Sequence, residues 1–237
     1  MLTPPCTQKE EASGAHCRTA TASARSDDPV AFLRAYFYLE HRLRCRPTDP
    51  LNEDVLRQSV FSVLRQAERS AAADRSDFPR CLESLRMCVS LLDSHCDRIS
   101  GLADRFSATC SNWLQSISAG RNGAKYFALL QILAGCNFAP LLVDLVVKKI
   151  VTTQQSLKEW HFDGTVVPRP IFKDFMNSSH FFLLLEKMIP RLNLSDPSLA
   201  QRHVAALSDV HPNVQLHFPL FAASMMRCAS QLENQLL

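Results

Sequence analysis

Apolar residues recur at helical spacing along most of the chain, and this periodicity constrains the fold more than any other feature. After Asp28-Pro29, large apolar residues return every three or four positions, as on one face of an α-helix. The pattern resumes between breaks made by Pro, Gly, Asp and Asn, and alternation of the strand type is almost absent. The sequence therefore predicts an all-α fold.

The breaks divide the chain into about nine predicted helices with short connections, which favour antiparallel neighbours. We therefore expect an irregular HEAT-like stack of about nine antiparallel helices. Because no fixed-period repeat is readable, an irregular bundle remains open beside a solenoid. The predicted helices lie near residues 28–46, 52–64, 77–92, 95–117, 124–133, 140–157, 170–189, 197–207 and 218–236.

The first 27 residues differ from the rest of the chain. They contain Thr3-Pro4-Pro5, Lys9-Glu10-Glu11 and a run of Ala, Ser and Thr, which offer little apolar surface to bury. We predict a disordered tail over residues 1–27 and one helical domain over residues 28–237.

Charge and glycine content narrow the function classes. The chain has 26 Lys and Arg against 23 Asp and Glu, too weak a bias to predict a dedicated nucleic-acid or membrane surface. Its six glycines form no common phosphate-binding loop.

No apolar run reaches the roughly 18 residues that span a bilayer, and no secretory signal is visible. We expect a cytosolic or nuclear protein whose nine cysteines stay reduced.

One group of residues comes nearest to a metal-binding pattern: Cys81, Cys88, His95, Cys96 and Cys110. It contains no C-x2-C pair, and its spacing is not that of zinc ligands. Three of these cysteines (Cys81, Cys88, Cys110) fall among apolar helix residues, where a free thiol behaves as a small hydrophobic group. We therefore predict core cysteines, and assign no metal and no cofactor.

Candidate nucleophiles and bases do not assemble into a catalytic motif. The chain lacks a G-x-S-x-G elbow, and Ser208-Asp209 with His203 or His211 is explained by hydrogen bonding at a helix end. His180 and His203 lie on helical patterns, where a hydrogen-bonded structural histidine is the usual outcome. We predict no catalytic residue and a protein that is not an enzyme, with a helical hydrolase as the weakest alternative.

Arg42, Arg44 and Arg46 place three positive charges at the end of the first predicted helix. The helix macrodipole already explains cations at a C-terminus. The alternative is that these arginines contact DNA phosphates, with weak, sequence-independent and salt-dependent binding. They are the candidate nucleic-acid contacts of the chain.

Five large apolar residues late in the chain lie at helical spacing: Phe181, Phe182, Phe218, Leu220 and Phe221. Aromatic residues in such a pattern usually face the interior, so we predict that they pack between helices, with an exposed docking patch as the alternative. Pro219 is placed to open the last helix.

Several ordered blocks carry a family resemblance. The early block is Ser59-Val60-Phe61 with Leu64. One middle block covers residues 126–133 with 135–137 and 141–146, and the next covers residues 179–187. The late block consists of Leu207, Ser208 and Asp209, followed by Phe218, Pro219, Leu220 and Phe221. Over residues 28–237 these blocks resemble the vertebrate Mei-four proteins, which are meiosis-specific accessory factors of programmed DNA double-strand-break formation.

The resemblance implies a non-catalytic scaffold in the nucleus, on meiotic chromosome axes. There it would assemble with a pleckstrin-homology-like partner and with axis proteins, and support DNA recombination and homologous chromosome pairing. A generic helical adaptor in trafficking or chromatin shares the bulk properties of the chain and is the alternative.

Two departures from the family accompany the resemblance. Family members run almost directly from Leu-Ser-Asp to Phe-Pro-Leu-Phe, so we expect Val210–His217 to be looped out. The family also docks on its partner through an N-terminal helix, and residues 1–26 do not resemble one. We therefore expect the chain as written not to co-purify with that partner.

Overall fold

The computed structural model describes residues 50–73, 76–95, 101–119, 122–136, 139–159, 169–192 and 196–237, together with Phe37, His41 and Cys45. In these residues the regular structure is helical and no strand occurs, so the all-α prediction is confirmed. The HEAT-like arrangement of antiparallel helices stays a prediction. The predicted tail at residues 1–27 lies outside the described residues. The chain divides into two compact units, residues 1–99 and 100–237.

The described helices match the predicted pattern closely, and we number them in chain order. The first unit contains α1 (Pro50–Ala72) and α2 (Phe78–His95). The second contains α3 (Leu102–Ala119), α4 (Gly123–Leu133), α5 (Ala139–Lys158), α6 (Arg169–Met188), a 3-10 turn (Ile189–Arg191), α7 (Pro197–Ser208), α8 (Pro212–His217) and α9 (Pro219–Asn234).

In the first unit, α1 and α2 pack against each other through apolar stripes. Val60 and Leu64 of the early family block are buried in α1, and Cys81, Leu85 and Cys88 are buried in α2. Ser70 Oγ near the end of α1 donates a hydrogen bond of 2.5 Å to Asp77 Oδ1, which directly precedes α2. The buried residues named above recur at the three- and four-residue spacing from which the helices were predicted.

The predicted start of α3 was wrong. The sequence predicted a single helix from about His95 to Ile117, whereas α2 extends to His95 and α3 begins at Leu102. Gly101 has a φ of 68°, in the left-handed region that side chains other than that of glycine rarely adopt. A right-handed helix cannot continue through that conformation, so α3 starts after it.

α6 is the central helix of the second unit, because α3, α4, α5 and α9 all contact it. Its attachment to α5 includes a largely buried ion pair, in which Lys149 Nζ lies 2.8 Å from Asp174 Oδ1. The same ammonium lies 5.9 Å from the centre of the Phe181 ring, within the range of a cation–π contact. The buried residues around α6 include Phe106, Trp113, Leu129, Leu133, Leu142, Val146, Ile150, Leu184, Leu185 and Met225.

The segment between α7 and α9 also differs from the prediction. Val210–His217 was expected to be looped out, but residues Pro212–His217 form α8. Pro212 occupies the first turn, where its missing N–H costs nothing, and the His211 imidazole accepts a hydrogen bond of 3.2 Å from Asn213 N. These two residues form a helix start that the sequence reading missed.

Candidate interaction surface

The late family block forms the junction that joins α7 and α8 to α5. Leu207 is buried at the end of α7, and Asp209 is the residue that caps it. Gln154 of α5 is buried and donates from Nε2 to the Asp209 carbonyl oxygen at 3.0 Å, while its Oε1 accepts from His211 N at 3.2 Å. One amide side chain thus satisfies two backbone groups of the junction. Ser208 lies beside it on the surface.

The second half of the block packs α9 onto α6. The Phe218 ring centre lies 5.0 Å from that of Phe175, and the buried Phe221 ring lies 5.3 Å from Phe182 in an edge-on arrangement. Pro219 is the first residue of α9, as predicted. Phe182 and Phe221 are buried, so the core prediction is confirmed for them.

Leu220 was predicted to pack in the core and is instead 84% exposed. The buried face of α9 is set by residues three or four positions apart, among them Phe221, Met225, Cys228 and Leu232. Leu220 lies about 100° away from Phe221 around the helix, because 3.6 residues complete a turn. The core prediction for Leu220 was therefore wrong.

Three cysteines of the suspected metal group are buried, so the prediction that Cys81, Cys88 and Cys110 lie in the core is confirmed. Burial raises the pKa of Cys88 to about 12 and also raises the pKa of Cys110. Such thiols stay protonated and are poor metal ligands and nucleophiles. Cys96 lies outside the described residues, within which no group of three or more His, Cys, Asp or Glu side chains is placed to hold a metal ion.

The two histidines singled out from the sequence have different surroundings. His203 is buried, and its Nε2 lies 3.4 Å from Asp144 Oδ1, which joins α7 to α5. Partial burial raises the pKa of Asp144, but hydrogen bonds from Lys148 and His203 outweigh this and leave it below its ordinary value. His180 instead packs edge-on against Phe127 at 4.6 Å, and its Nδ1 has no hydrogen-bond partner among the described residues.

The predicted DNA contacts Arg42, Arg44 and Arg46 lie outside the described residues. Neighbouring positions Phe37, His41 and Cys45 are helical and exposed. The assignment of phosphate contacts to these arginines stays a prediction.

A surface that the sequence reading missed lies on α6. Met176 and Leu183 are 59% and 53% exposed, although both are large and apolar. They are seven residues apart, so they lie almost above one another on the same face of the helix. In the sequence these two positions resemble core positions, because they lie beside the buried row that contains Ser178, Phe182 and Leu185.

Two helices border the exposed face of α6. On one side, α4 contacts it through Phe127 against His180, and Lys187 Nζ donates to the Gln131 carbonyl oxygen at 3.0 Å. On the other side, Glu186 forms an ion pair of 2.7 Å with Arg227 of α9. The exposed strip of α6 that carries Met176 and Leu183 lies between these two edges.

The full row on this face has a regular spacing. Its members are separated by three, four, three and four residues: Lys173, Met176, His180, Leu183 and Lys187. We call this row the α6 seam. Leu220 adds a further apolar side chain on the α9 side, because it lies two turns before Arg227 on the same face of α9.

Comparison of the chain with family models, curated protein sequences and solved structures finds no match. Among the described helices, none is both long and apolar enough to cross a membrane. Inferences about function therefore rest on the sequence blocks and on the surface of the helical units.

Proposed function

We propose that the chain is a non-catalytic helical scaffold that supports programmed DNA double-strand-break formation in meiosis. It acts on chromosome axes in the nucleus, together with a pleckstrin-homology-like partner and axis proteins. The proposal follows the resemblance of the ordered sequence blocks to the Mei-four family, and no enzymatic step is assigned to the chain.

The observation that carries the proposal is the role of the late block in packing. Its two halves are separated by eight residues in the sequence (210–217), yet both of them attach the C-terminal helices to the unit. The Asp209 backbone carbonyl accepts a hydrogen bond from Gln154 of α5, and the Phe221 ring packs on Phe182 of α6. Buried side chains at such a junction, here those of Leu207 and Phe221, are the kind that a shared fold retains, which supports using this block to relate the chain to the family.

The exposed α6 seam supports the scaffold part of the proposal. Large apolar side chains on a charged surface mark sites of protein association when they lie together. Met176 and Leu183 lie on one face of α6, and Leu220 lies on the face of α9 that carries Arg227. A generic adaptor in trafficking or chromatin would use the same surface, so the experiment must separate the two by location and phenotype.

The test uses an endogenously tagged chain and a null allele in the germ line of the source organism. We expect foci along chromosome axes in early meiotic prophase, and loss of break-dependent strand-exchange foci in the null. Foci that persist in the null, or a tagged chain found mainly in somatic cytoplasm, would refute the proposal and favour the adaptor. Turnover of an ester, phosphate or nucleic-acid substrate by the purified chain would refute its non-catalytic part.

A further inference from the structure

The α6 seam has the spacing by which helices pack on helices. Alternation of three and four residues is the repeat of the a and d positions of a coiled coil, and it keeps one row of side chains facing a partner helix. The seam shows this alternation from Lys173 to Lys187. His180 and Lys187 also contact α4, so the open part of this row is the strip with Met176 and Leu183. An added helix would run along this strip and bury Met176 and Leu183.

The charges around the strip favour an acidic occupant. Lys173 and Lys187 are exposed at its two ends, and Arg227 of α9 is exposed beside it. Glu186 of α6 forms an ion pair with Arg227 at 2.7 Å, so the positive charges that remain for an occupant are those of Lys173 and Lys187. An apolar helix flanked by Asp and Glu would therefore meet charges of the opposite sign, which favours encounter and fixes the register of docking.

The same charges argue against two occupants from the chain itself. A second copy of the seam would bring Lys173 and Lys187 against the lysines of the other copy, and charges of the same sign disfavour association. The helix predicted over residues 28–46 ends in three arginines, so its C-terminal part also carries positive charge and would be repelled by the lysines of the seam. A membrane surface requires a broad apolar face, whereas here the apolar row is narrow and lies between two neighbouring helices.

We propose that the α6 seam is a docking site for an acidic amphipathic helix of a partner protein. This inference rests on the proposed function, because it gives the scaffold one of its protein contacts. The partner helix places apolar residues on Met176 and Leu183, and acidic residues opposite Lys173 and Lys187.

The probe is a labelled synthetic helix of about three heptads, with Leu at positions a and d and Glu at positions e and g. A second peptide carries Lys in place of every Glu. Fluorescence anisotropy with the full chain should show binding of the acidic peptide that weakens with added salt, since the charges involved are exposed. The lysine peptide should bind at least about tenfold more weakly.

Variants connect the binding to the seam. Leu183→Glu should weaken binding of the acidic peptide at least about tenfold, because it puts a negative charge, of the same sign as the peptide, in the centre of the row. Met226→Glu is the matched control: Met226 is 54% exposed but lies on a different face of α9 from Leu220, and binding should not change. Circular dichroism verifies that both variants remain folded. Combined Lys173→Glu and Lys187→Glu should reverse the preference toward the lysine peptide, which loss of structure cannot do.

Several outcomes would overturn the inference: no binding of the acidic peptide, equal binding of both peptides, or equal weakening by Leu183→Glu and Met226→Glu. Seam-dependent binding to anionic phosphatidylserine vesicles in place of the peptide would assign the surface to membranes. Seam-dependent self-association in sedimentation would assign it to a second copy. If the acidic peptide does not bind while axis foci are present, only the assignment of the seam as a docking site is refuted. If the peptide binds while axis foci are absent, the meiotic proposal is refuted and the docking site stands.

Discussion

Replacing Phe182 with Ala tests the register of α6, on which both the core and the seam depend. Phe182 and Leu183 are neighbours in sequence, but Phe182 is 5% exposed and Leu183 is 53% exposed. Truncation of a buried Phe costs about 3–5 kcal/mol, through lost transfer free energy and the cavity that remains. The edge-on contact of Phe182 with Phe221 accounts for about 0.5–1.5 kcal/mol of that cost.

This loss is large relative to the total free energy of unfolding, which is about 5–15 kcal/mol for ordinary domains. At roughly 2–4 °C per kcal/mol, the melting temperature of Phe182→Ala should fall by roughly 6–20 °C. Urea unfolding followed by far-ultraviolet circular dichroism measures the free energy directly. In a double-mutant cycle with Phe221→Ala, the two losses should fall short of additivity by about 1 kcal/mol.

Leu183→Ala is the matched control, since it is also a change to Ala in the same turn of α6. Its exposed side chain should contribute little, so the free energy of unfolding should change by less than about 0.5 kcal/mol. Equal losses from Phe182→Ala and Leu183→Ala would show that α6 is rotated from the orientation described here. That result would refute the packing of α9 on α6 and the exposure of the seam together.

Three further predictions concern charges and thiols. Asp174→Asn should lower the free energy of unfolding by about 1–3 kcal/mol in urea titrations, because it leaves the largely buried Lys149 ammonium without its partner. Asp144→Asn should be less stable than the parent near neutral pH. Because the pKa of Asp144 is lowered in the folded chain, its stabilisation is present above the ordinary aspartate pKa and is lost as pH falls through the folded-state pKa, so the two unfolding curves should converge in acid. Maleimide labelling at pH 8 should modify the exposed Cys45 and spare Cys88, whose pKa burial raises to about 12, until the chain is unfolded.

Each of these predictions has an internal control. Glu83 and Arg86 form an exposed pair at 3.0 Å, so Glu83→Gln should change stability by less than about 0.5 kcal/mol. A loss as large as that of Asp174→Asn would contradict the burial argument. A stability difference for Asp144→Asn that persists unchanged to low pH would exclude the ionised carboxylate as its source. Peptide mapping locates the maleimide, and labelling of Cys88 in the folded chain would contradict its burial.

Much of the fold was predictable because the helices are amphipathic. The apolar stripes located most helix ends after residue 50 to within a few residues, and the buried cysteines followed from their position within those stripes. The exceptions are the end of α1, which continues to Ala72 beyond the predicted end near residue 64, and the segments near Gly101 and Pro212. The last two exceptions are local backbone features. Gly101 has a left-handed backbone conformation that the spacing of apolar residues does not predict. Pro212 opens a helix that is only six residues long. Short helices give too few turns for an apolar stripe to be recognised.

The surface was harder to predict because it depends on which helices become neighbours. The sequence placed Phe221 and Leu220 together in the core, and only the packing against Phe182 decides which of them points inward. Met176 and Leu183 resemble core positions in the sequence for the same reason. Their exposure follows from the absence of a described helix over that face of α6, which periodicity within one helix cannot reveal.

The central position of α6 has a consequence for how this chain can change during evolution. Four surrounding helices contact α6, so a substitution on its buried faces disturbs packing in several directions at once. Met176 and Leu183 are free of that constraint, and packing alone would let them drift to polar residues without loss of stability. If diverged orthologues nevertheless keep large apolar side chains at these two positions, selection must act through something outside the folded chain.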